Sequence, residues 1–276
     1  MSASLENIRL SSSLEDLKSL QFYQALLAEF FGTMLFLVVG VTSTLTWPGA
    51  PAPVTPGIAA AFGLGLGTVV WITAGKSGGH INPAVTLGML VARKISAIRF
   101  FLYLVAQCCG AIVGALLVKG VTPTSVGGSF GATVVSKDLQ SWQGLIVELV
   151  LTVVLVTTVF ASTDNARKDL SGSGPLAIGI SLFVCVIGGA SYTGPSLNPA
   201  RTLGSAVAGN VWKTHWVYWI GPMLAGAASA LFWEFTIAAN ACPLRIKSWI
   251  VDVDYDPDRP ADQYGEYIVP ALSDQN

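Results

Sequence analysis

Two short stretches decide the fold of this chain: residues 82–88 read Asn-Pro-Ala-Val-Thr-Leu-Gly, and residues 198–204 read Asn-Pro-Ala-Arg-Thr-Leu-Gly. Six of the seven positions are identical. An acidic residue also precedes each stretch within an apolar run, Glu29 in the first case and Glu148 in the second, each followed four residues later by a threonine. The chain therefore contains the same unit twice.

The composition indicates a membrane protein. Of the 276 residues, 52% are apolar and 11% are charged, whereas soluble domains carry roughly 25% charged residues. The 15 basic and 16 acidic residues nearly balance, so nothing suggests a nucleic-acid surface. The four cysteines lack metal-ligand spacing, and the sequence contains no catalytic triad or phosphate loop. We therefore expect no metal, no cofactor and no enzymatic activity.

Apolar runs of about 20 residues, the length that crosses a bilayer, occur six times. They are Phe22–Thr46, Thr55–Ala74, Phe100–Val118, Trp142–Ala161, Pro175–Ala190 and Trp216–Ala239. We therefore expect an all-α membrane protein with six transmembrane helices. Basic residues cluster after the second, fourth and sixth runs, and cytoplasmic loops are enriched in Lys and Arg. Both termini are accordingly expected in the cytoplasm.

The two repeated stretches predict half-helices. Three spans separate them, an odd number, so the second unit is inverted in the membrane relative to the first. Their apolar parts, Asn82–Ala92 and Asn198–Ala208, correspond to roughly 16 Å of helix, about half of a ~30 Å hydrocarbon core. Asparagine is a good N-cap and proline suits the first helical position. We therefore expect two re-entrant helices that begin in mid-membrane.

Irregular backbone is expected before each half-helix, at residues 75–80 and 188–194, where glycines cluster. Such backbone is tolerated at membrane depth only where it lines a water-filled path. Two half-helix N-termini that meet there bring two positive dipole ends together. The sequence thus predicts a pore that resists cations.

Together, the paired Asn-Pro-Ala motifs, the two acidic residues, His80 and Arg201 resemble the aquaporin (major intrinsic protein) family over residues 22–245. The resemblance implies six tilted helices plus two re-entrant half-helices, one pore per subunit, and a homotetramer in the lipid bilayer of the plasma membrane. We expect a cytoplasmic tail at 1–21, repeats at about 22–120 and 142–245, and an acidic cytoplasmic tail at 246–276. The acidic tail is expected to be mostly disordered after Trp249.

The resemblance also implies roles for individual residues. Glu29 and Glu148 would hold the re-entrant loops through backbone groups, and His80 would line the cytoplasmic part of the pore. The motif residues would orient passing molecules, with both asparagines donating hydrogen bonds: Asn82, Pro83, Ala84, Asn198, Pro199 and Ala200. The selectivity filter would consist of Phe62, Val186, Pro195 and Arg201.

Val186 departs from the pattern of water-selective members of that family, which place histidine at this position. Losing the imidazole widens the filter and makes it less polar. Thr202 stands where the glycerol branch has aspartate, and Tyr218 and Trp219 resemble the water-selective type. We therefore expect a passive water channel that also passes small neutral solutes such as glycerol, urea and hydrogen peroxide.

Other interpretations remain open at this point. The chain is alternatively a water-only channel, or an adhesive or junctional membrane protein with a closed pore. A secondary transporter would need several paired ionisable groups at mid-membrane, which the sequence lacks. His80 is alternatively an ordinary loop histidine, Phe62 and Val186 ordinary packing residues, and Glu29 and Glu148 proton relays.

Overall fold

The computed structural model describes residues 16–126, 128–169, 171–252, 255–260 and 263. Helices dominate these residues, and a π-helical turn, Trp233–Ile237, extends the helix Val217–Phe232. The α-helices are α1 (Leu20–Thr42), α2 (Thr55–Ser77), α3 (Pro83–Val91), α4 (Ala97–Val121), α5 (Ser141–Thr163), α6 (Gly174–Thr193), α7 (Pro199–Gly209), α8 (Val217–Phe232) and α9 (Pro243–Val251).

Six of these helices, within the described part of the chain, are long and apolar enough to cross a membrane. They are α1, α2, α4, α5, α6 and α8 with its π-helical turn, and each contains 20 to 25 residues. The six predicted spans are thus confirmed, with ends displaced by no more than about four residues, the ordinary uncertainty of helix boundaries. The short helices α3 and α7 contain 9 and 11 residues, so they are half-helices.

The backbone before each half-helix is more regular than predicted. Helix α2 continues to Ser77 and α6 to Thr193, so the expectation of irregular backbone is wrong for residues 75–77 and 188–193. Each helix ends where a glycine adopts the left-handed conformation, Gly78 at φ 88° and Gly194 at φ 57°. Glycine lacks the Cβ that disfavours this conformation, so it provides the stop.

The two halves of the chain interlock. Helix α1 packs against α4 and α5 packs against α8, while α2 packs against α6 of the other half. The half-helix α3 rests on α8, and the half-helix α7 rests on α4. At the first of these contacts a Cβ on Gly226 would overlap the carbonyl oxygen of Ala84. Each half-helix is therefore positioned by the last long helix of the opposite half.

The C-terminal helix α9 packs against the end of the half-helix α3. The Nη1 group of Arg93 donates hydrogen bonds to the carbonyl oxygens of Trp249, at 3.0 Å, and Asp252, at 2.8 Å. In return, the indole N–H of Trp249 donates to the carbonyl oxygen of Val91 at 3.1 Å. Because Arg93 satisfies carbonyls at the end of α9, it caps that helix.

A buried ion pair fixes the chain beyond α9. Arg245 is 1% exposed and pairs with Glu234 of the π-helical turn. It also donates to the hydroxyl of Tyr255, at 3.0 Å, and to the carbonyl oxygen of Pro257, at 2.9 Å. The predicted disorder after Trp249 is therefore wrong for residues 250–252 and 255–260, because Arg93 and Arg245, which lie outside the acidic tail, donate hydrogen bonds to it.

The remaining residues of the two predicted tails are 1–15, 253, 254, 261, 262 and 264–276, which lie outside the described residues. The described part of the N-terminal tail, which begins at Asp16, is attached to the helix bundle. There the carboxylate of Asp16 pairs with Arg99 and accepts a hydrogen bond from the hydroxyl of Ser96 at 2.6 Å.

Candidate channel site

Each half-helix begins at the asparagine of its motif. The side-chain oxygen of Asn82 accepts a hydrogen bond from the backbone N–H of Ala84 at 2.8 Å. The side-chain oxygen of Asn198 accepts from the N–H groups of Ala200 and Arg201, at 3.0 and 3.2 Å. A proline fills the next position in both helices. These local caps set the starting points of α3 and α7, whose N-terminal ends carry partial positive charge.

The two asparagines also tie the halves of the chain together. The side-chain amide nitrogen of Asn82 donates to the carbonyl oxygen of Leu197, and that of Asn198 donates to the carbonyl oxygen of Ile81, both at 2.9 Å. Each amide nitrogen carries two hydrogens. The second hydrogen has no acceptor among the described residues of the protein. A molecule passing this level would therefore meet two hydrogen-bond donors.

The residue before each asparagine has a strained backbone. Ile81 adopts φ 54° and Leu197 adopts φ 56°, and both side chains are fully buried. The left-handed region is unfavourable for residues other than glycine, most of all for β-branched ones, and costs on the order of 1–3 kcal/mol per residue. The conformation turns each carbonyl toward the opposite asparagine, so the surrounding contacts must stabilise it.

Glu29 supplies those contacts in the first half. Its carboxylate is fully buried. It accepts hydrogen bonds from the Ser77 hydroxyl at 2.6 Å, the N–H of His80 at 2.9 Å, the N–H of Ile81 at 2.7 Å and the amide of Gln107 at 2.7 Å. Four donors on one carboxylate compensate for its loss of water. Three of them belong to the re-entrant loop or the helix end before it.

Glu148 has the same surroundings in the second half. It is fully buried and accepts hydrogen bonds from the Thr193 hydroxyl at 2.7 Å, the N–H of Ser196 at 3.0 Å and the N–H of Leu197 at 2.9 Å. These donors occupy the positions equivalent to those in the first half. The carboxylate thus holds Leu197 in its left-handed conformation.

A tyrosine supports the helix end in each half. The Tyr103 hydroxyl donates to the carbonyl oxygen of Ser77 at 3.0 Å, and the Tyr218 hydroxyl donates to that of Thr193 at 2.7 Å. Both tyrosines are fully buried. Their matching bonds show that Tyr103 and Tyr218 are equivalent positions of the repeat.

The four residues implied for the filter line one cavity. This cavity of about 280 Å³ lies at the end of the bundle opposite α9, where α1 ends and α2 begins. Phe62 comes from α2, Val186 from α6, Pro195 from the loop that follows it, and Arg201 from α7. Three of the four side chains are apolar, so the cavity has an apolar wall facing one cation.

Arg201 is held in place by the loop that connects α4 and α5. Its side chain is 5% exposed, and its Nη1 group donates to the carbonyl oxygen of Gly131 at 2.6 Å. The guanidinium carbon lies 4.6 Å from the centroid of the Phe62 ring, within cation–π distance. Gly131 adopts φ 66°. A glycine in a long loop was the only sequence signal for this contact, and it does not identify the partner.

His80 lies within the re-entrant loop of the first half. It is 7% exposed, and its Nδ1 lies 3.2 Å from the hydroxyl oxygen of Thr86. The imidazole packs edge-on against the ring of Tyr103, with centroids 5.3 Å apart. This histidine therefore has a polar partner on one side of its ring.

The electrostatic character of the site is positive. Two half-helix N-termini point toward its centre, and the buried Arg201 adds a full charge. Both buried carboxylates, Glu29 and Glu148, are occupied by donors from the loops. In the residues that the structure describes, no group of three or more His, Cys, Asp and Glu is placed to hold a metal ion.

Comparison with known proteins agrees with this architecture. The sequence pattern described as "Major intrinsic protein" matches residues 16–233. The chain belongs to the major intrinsic protein family. It is 43% identical to aquaporin-4 from Mus musculus over 225 residues, which cover 80% of this chain and 68% of that protein. It is 39% identical to aquaporin-5 from Homo sapiens over 249 residues, which cover 90% and 94% of the two chains.

A solved structure of the same fold is similar as well. The aquaglyceroporin from Plasmodium falciparum aligns with a TM-score of 0.70 at 22% identity, covering 80% of this chain and 98% of that one. The predicted aquaporin fold is therefore confirmed. Members of the major intrinsic protein family are membrane channels. This protein is accordingly a multi-pass membrane channel and not an enzyme.

Proposed function

We propose that the protein is a passive channel for water that also conducts small neutral solutes such as glycerol, urea and hydrogen peroxide. The observation that supports this most directly is the cavity in which Phe62, Val186 and Pro195 face Arg201. The guanidinium offers hydrogen-bond donors to a hydroxyl or carbonyl oxygen. The apolar wall accommodates the carbon atoms of a polyol without competing for those bonds.

Ions are excluded by the charge of the same path. A cation that approaches from the cavity meets the buried Arg201 and then the two half-helix N-termini at Asn82 and Asn198. An anion gains attraction but loses its hydration shell in a narrow site lined largely by apolar groups. Neutral molecules lose little by comparison, so the channel favours them.

The individual residues then have distinct tasks in this proposal. Asn82 and Asn198 donate to the oxygen of each passing molecule, while Glu29 and Glu148 hold the two loops. His80 lines the cytoplasmic part of the pore.

The proposed setting is a homotetramer in the plasma membrane, with both termini in the cytoplasm and the channel unit at residues 22–245. The basic residues that follow α3 and α5 and lie within α9 support this orientation. The match along 94% of human aquaporin-5 supports one channel unit per chain.

The test is a side-by-side permeability measurement on the purified protein in proteoliposomes. Stopped-flow light scattering reports water, glycerol and urea, and an enclosed dye reports hydrogen peroxide. We expect all four to cross faster than through lipid alone, with no added proton conductance. A protein that passes only water refutes the solute proposal. If the proteoliposomes shrink osmotically only as fast as vesicles of lipid alone, the protein is an adhesive or sealed scaffold instead.

The filter assignment is tested by Val186→His, with Val186→Ala as the matched control. The imidazole narrows the cavity and restores a polar edge, and a pocket wall discriminates by on the order of 1–3 kcal/mol for each group added. We expect glycerol permeability to fall by about tenfold for each ~1.4 kcal/mol of restored barrier, while water is spared. The alanine variant should keep conducting glycerol. Unchanged glycerol flux in the histidine variant shows that the barrier lies elsewhere.

A further inference from the structure

A buried polar cluster lies behind His80. Gln107 of α4 and Thr86 of α3 are both fully buried. The Nε2 group of Gln107 lies 2.7 Å from the carboxylate of Glu29 and 2.9 Å from the hydroxyl oxygen of Thr86. That hydroxyl lies 2.9 Å from the carbonyl oxygen of Asn82 and 3.2 Å from Nδ1 of His80.

The hydrogens of the Gln107 amide follow from its two partners. Each carboxylate oxygen of Glu29 already accepts a hydrogen bond from a backbone N–H group, Oε1 from His80 and Oε2 from Ile81, so the oxygen that faces Gln107 acts as an acceptor. The amide nitrogen must therefore face it. Its two hydrogens are then committed, one to Glu29 and the other to Thr86.

The hydrogen of the Thr86 hydroxyl follows next. The hydroxyl oxygen lies closer to the carbonyl oxygen of Asn82, at 2.9 Å, than to Nδ1 of His80, at 3.2 Å, so the hydroxyl donates its single hydrogen to Asn82. Its oxygen accepts one bond from Gln107. The remaining contact, to His80, must then be donated by Nδ1. A neutral imidazole carries one N–H, so Nε2 of His80 is left as a bare acceptor.

The free Nε2 atom of His80 has no hydrogen-bond partner among the described residues, and it is not one of the fully enclosed polar atoms. The whole side chain is 7% exposed. The bare nitrogen is thus accessible to small molecules in the channel.

The second half of the chain shows that Gln107 is not needed to hold a loop. Gln107 lies four residues after Tyr103, and the equivalent position, four residues after Tyr218, is Pro222. Glu148 nevertheless holds its loop with three donors of its own half. The position equivalent to His80 is a serine, Ser196. Among the described residues, the extra donor to the carboxylate therefore occurs only in the half that contains His80.

We propose that Gln107 and Thr86 are positioning residues that hold neutral His80 as its Nδ1–H tautomer, so that Nε2 presents a hydrogen-bond acceptor to molecules in the pore. Water that has accepted a bond from Asn82 or Asn198 then donates one of its own hydrogens at the histidine. The pore thereby offers donors at one level and an acceptor at the next. The permeability consequence rests on the proposed function, whereas the tautomer does not.

The tautomer is read directly by NMR of protein labelled with nitrogen-15 histidine in lipid. The chain has two histidines, so a His215→Gln background leaves the signal of His80 alone. At about pH 8 an ordinary histidine, with a pKa near 6.5, is neutral. We expect a bonded hydrogen on Nδ1 and none on Nε2. A hydrogen on Nε2 in this protein overturns the proposal, whatever any further variant does.

The positioning role is tested by Thr86→Val in the same background. Valine keeps the shape but removes the acceptor, so we expect the Nε2–H form to become populated, and Thr86→Ser should restore the Nδ1–H form. The matched control is Thr202→Val, the equivalent position of the second half, which should leave the His80 signal unchanged. An unchanged His80 signal in Thr86→Val overturns the proposal.

Permeability provides the second readout. We expect Thr86→Val to lower water permeability about two- to tenfold, the equivalent of one ordinary hydrogen bond, and Thr86→Ser to restore it. If the tautomer shifts as expected but neither the variants nor the parent conduct, the proposed function fails and the positioning of His80 stands. If the tautomer shifts and Thr86→Val conducts as the parent does, the acceptor at Nε2 has no part in permeation and that part of the proposal is overturned.

Discussion

Replacing Glu148 by glutamine should release the second re-entrant loop while leaving the shape of the side chain unchanged. The carboxylate uses Oε1 to accept from the Thr193 hydroxyl and the N–H of Ser196, and Oε2 to accept from the N–H of Leu197 at 2.9 Å. Glutamine has only one oxygen. With the NH₂ group at the Oε2 position, the N–H of Leu197 loses its acceptor, and with it at the Oε1 position, the N–H of Ser196 keeps only its 3.2 Å contact to Oε2.

The magnitude follows from these contacts. A hydrogen bond to a charged group contributes about 1.5–3 kcal/mol, and an unsatisfied buried donor costs about 1–3 kcal/mol. Allowing for relaxation around the site, we expect the free energy of unfolding to fall by about 2–4 kcal/mol. The change also reaches the first half, because the carbonyl of Leu197 accepts the amide hydrogen of Asn82. When Leu197 leaves φ 56°, this bond is lost as well.

The assay compares thermal unfolding in detergent with water permeability in proteoliposomes. We expect Glu148→Gln to unfold at a lower temperature and to conduct less water per molecule. Thr152→Val is the matched control, because the Thr152 hydroxyl donates only to the carbonyl oxygen of Glu148 within its own helix, at 2.6 Å. A Glu148→Gln protein that unfolds and conducts like the control refutes the loop-holding role.

Three further outcomes are expected. Arg201→Val should raise proton or cation conductance in proteoliposomes above the level of the parent, since it removes the full charge of the filter; unchanged conductance assigns the barrier to the half-helices alone. Glu234→Ala should lower the free energy of unfolding by about 3–5 kcal/mol and hasten proteolysis after α9, because it removes the carboxylate that pairs with the buried Arg245. Equal cleavage rates in the variant and the parent contradict this. Burial lowers the pKa of His215, whose Nε2 accepts a hydrogen bond from Trp219 at 3.1 Å. The folded protein thus disfavours the protonated imidazole. The stability that the neutral imidazole contributes is present above about pH 6.5 and is lost as the pH falls toward the lowered pKa. His215→Gln should flatten that part of a profile of melting temperature against pH.

The elements predicted best were those governed by local rules. The half-helix expected at Asn82–Ala92 is observed at Pro83–Val91, because N-capping and the length of an apolar run act within a few residues. The ends of α2 and α6 were predicted less well. Glycines inside an apolar run gave no sign of which ones would adopt a positive φ, and Gly78, Gly79 and Gly194 do so at these ends.

The C-terminal segment shows the limit of composition. An acidic, weakly apolar tail predicts disorder when it is considered alone. Its described residues instead contact Arg93, which lies 159 residues before its partner Asp252, and Arg245, which lies 10 residues before its partner Tyr255. Composition describes a segment but not the surface on which it lies.

The sequence by itself determined that the protein lies in a lipid bilayer, and it determined the six spans, the inverted repeat and the two half-helices. It did so because hydropathy, capping and helix length depend on neighbouring residues. Tertiary structure alone decided which groups meet at the pore. Gly131 reaches Arg201 across 70 residues and Gln107 reaches Glu29 across 78. Such pairs form only when segments far apart in the sequence pack together, since no local pattern encodes a contact over that separation. The roles proposed for these groups therefore depend on the packed bundle.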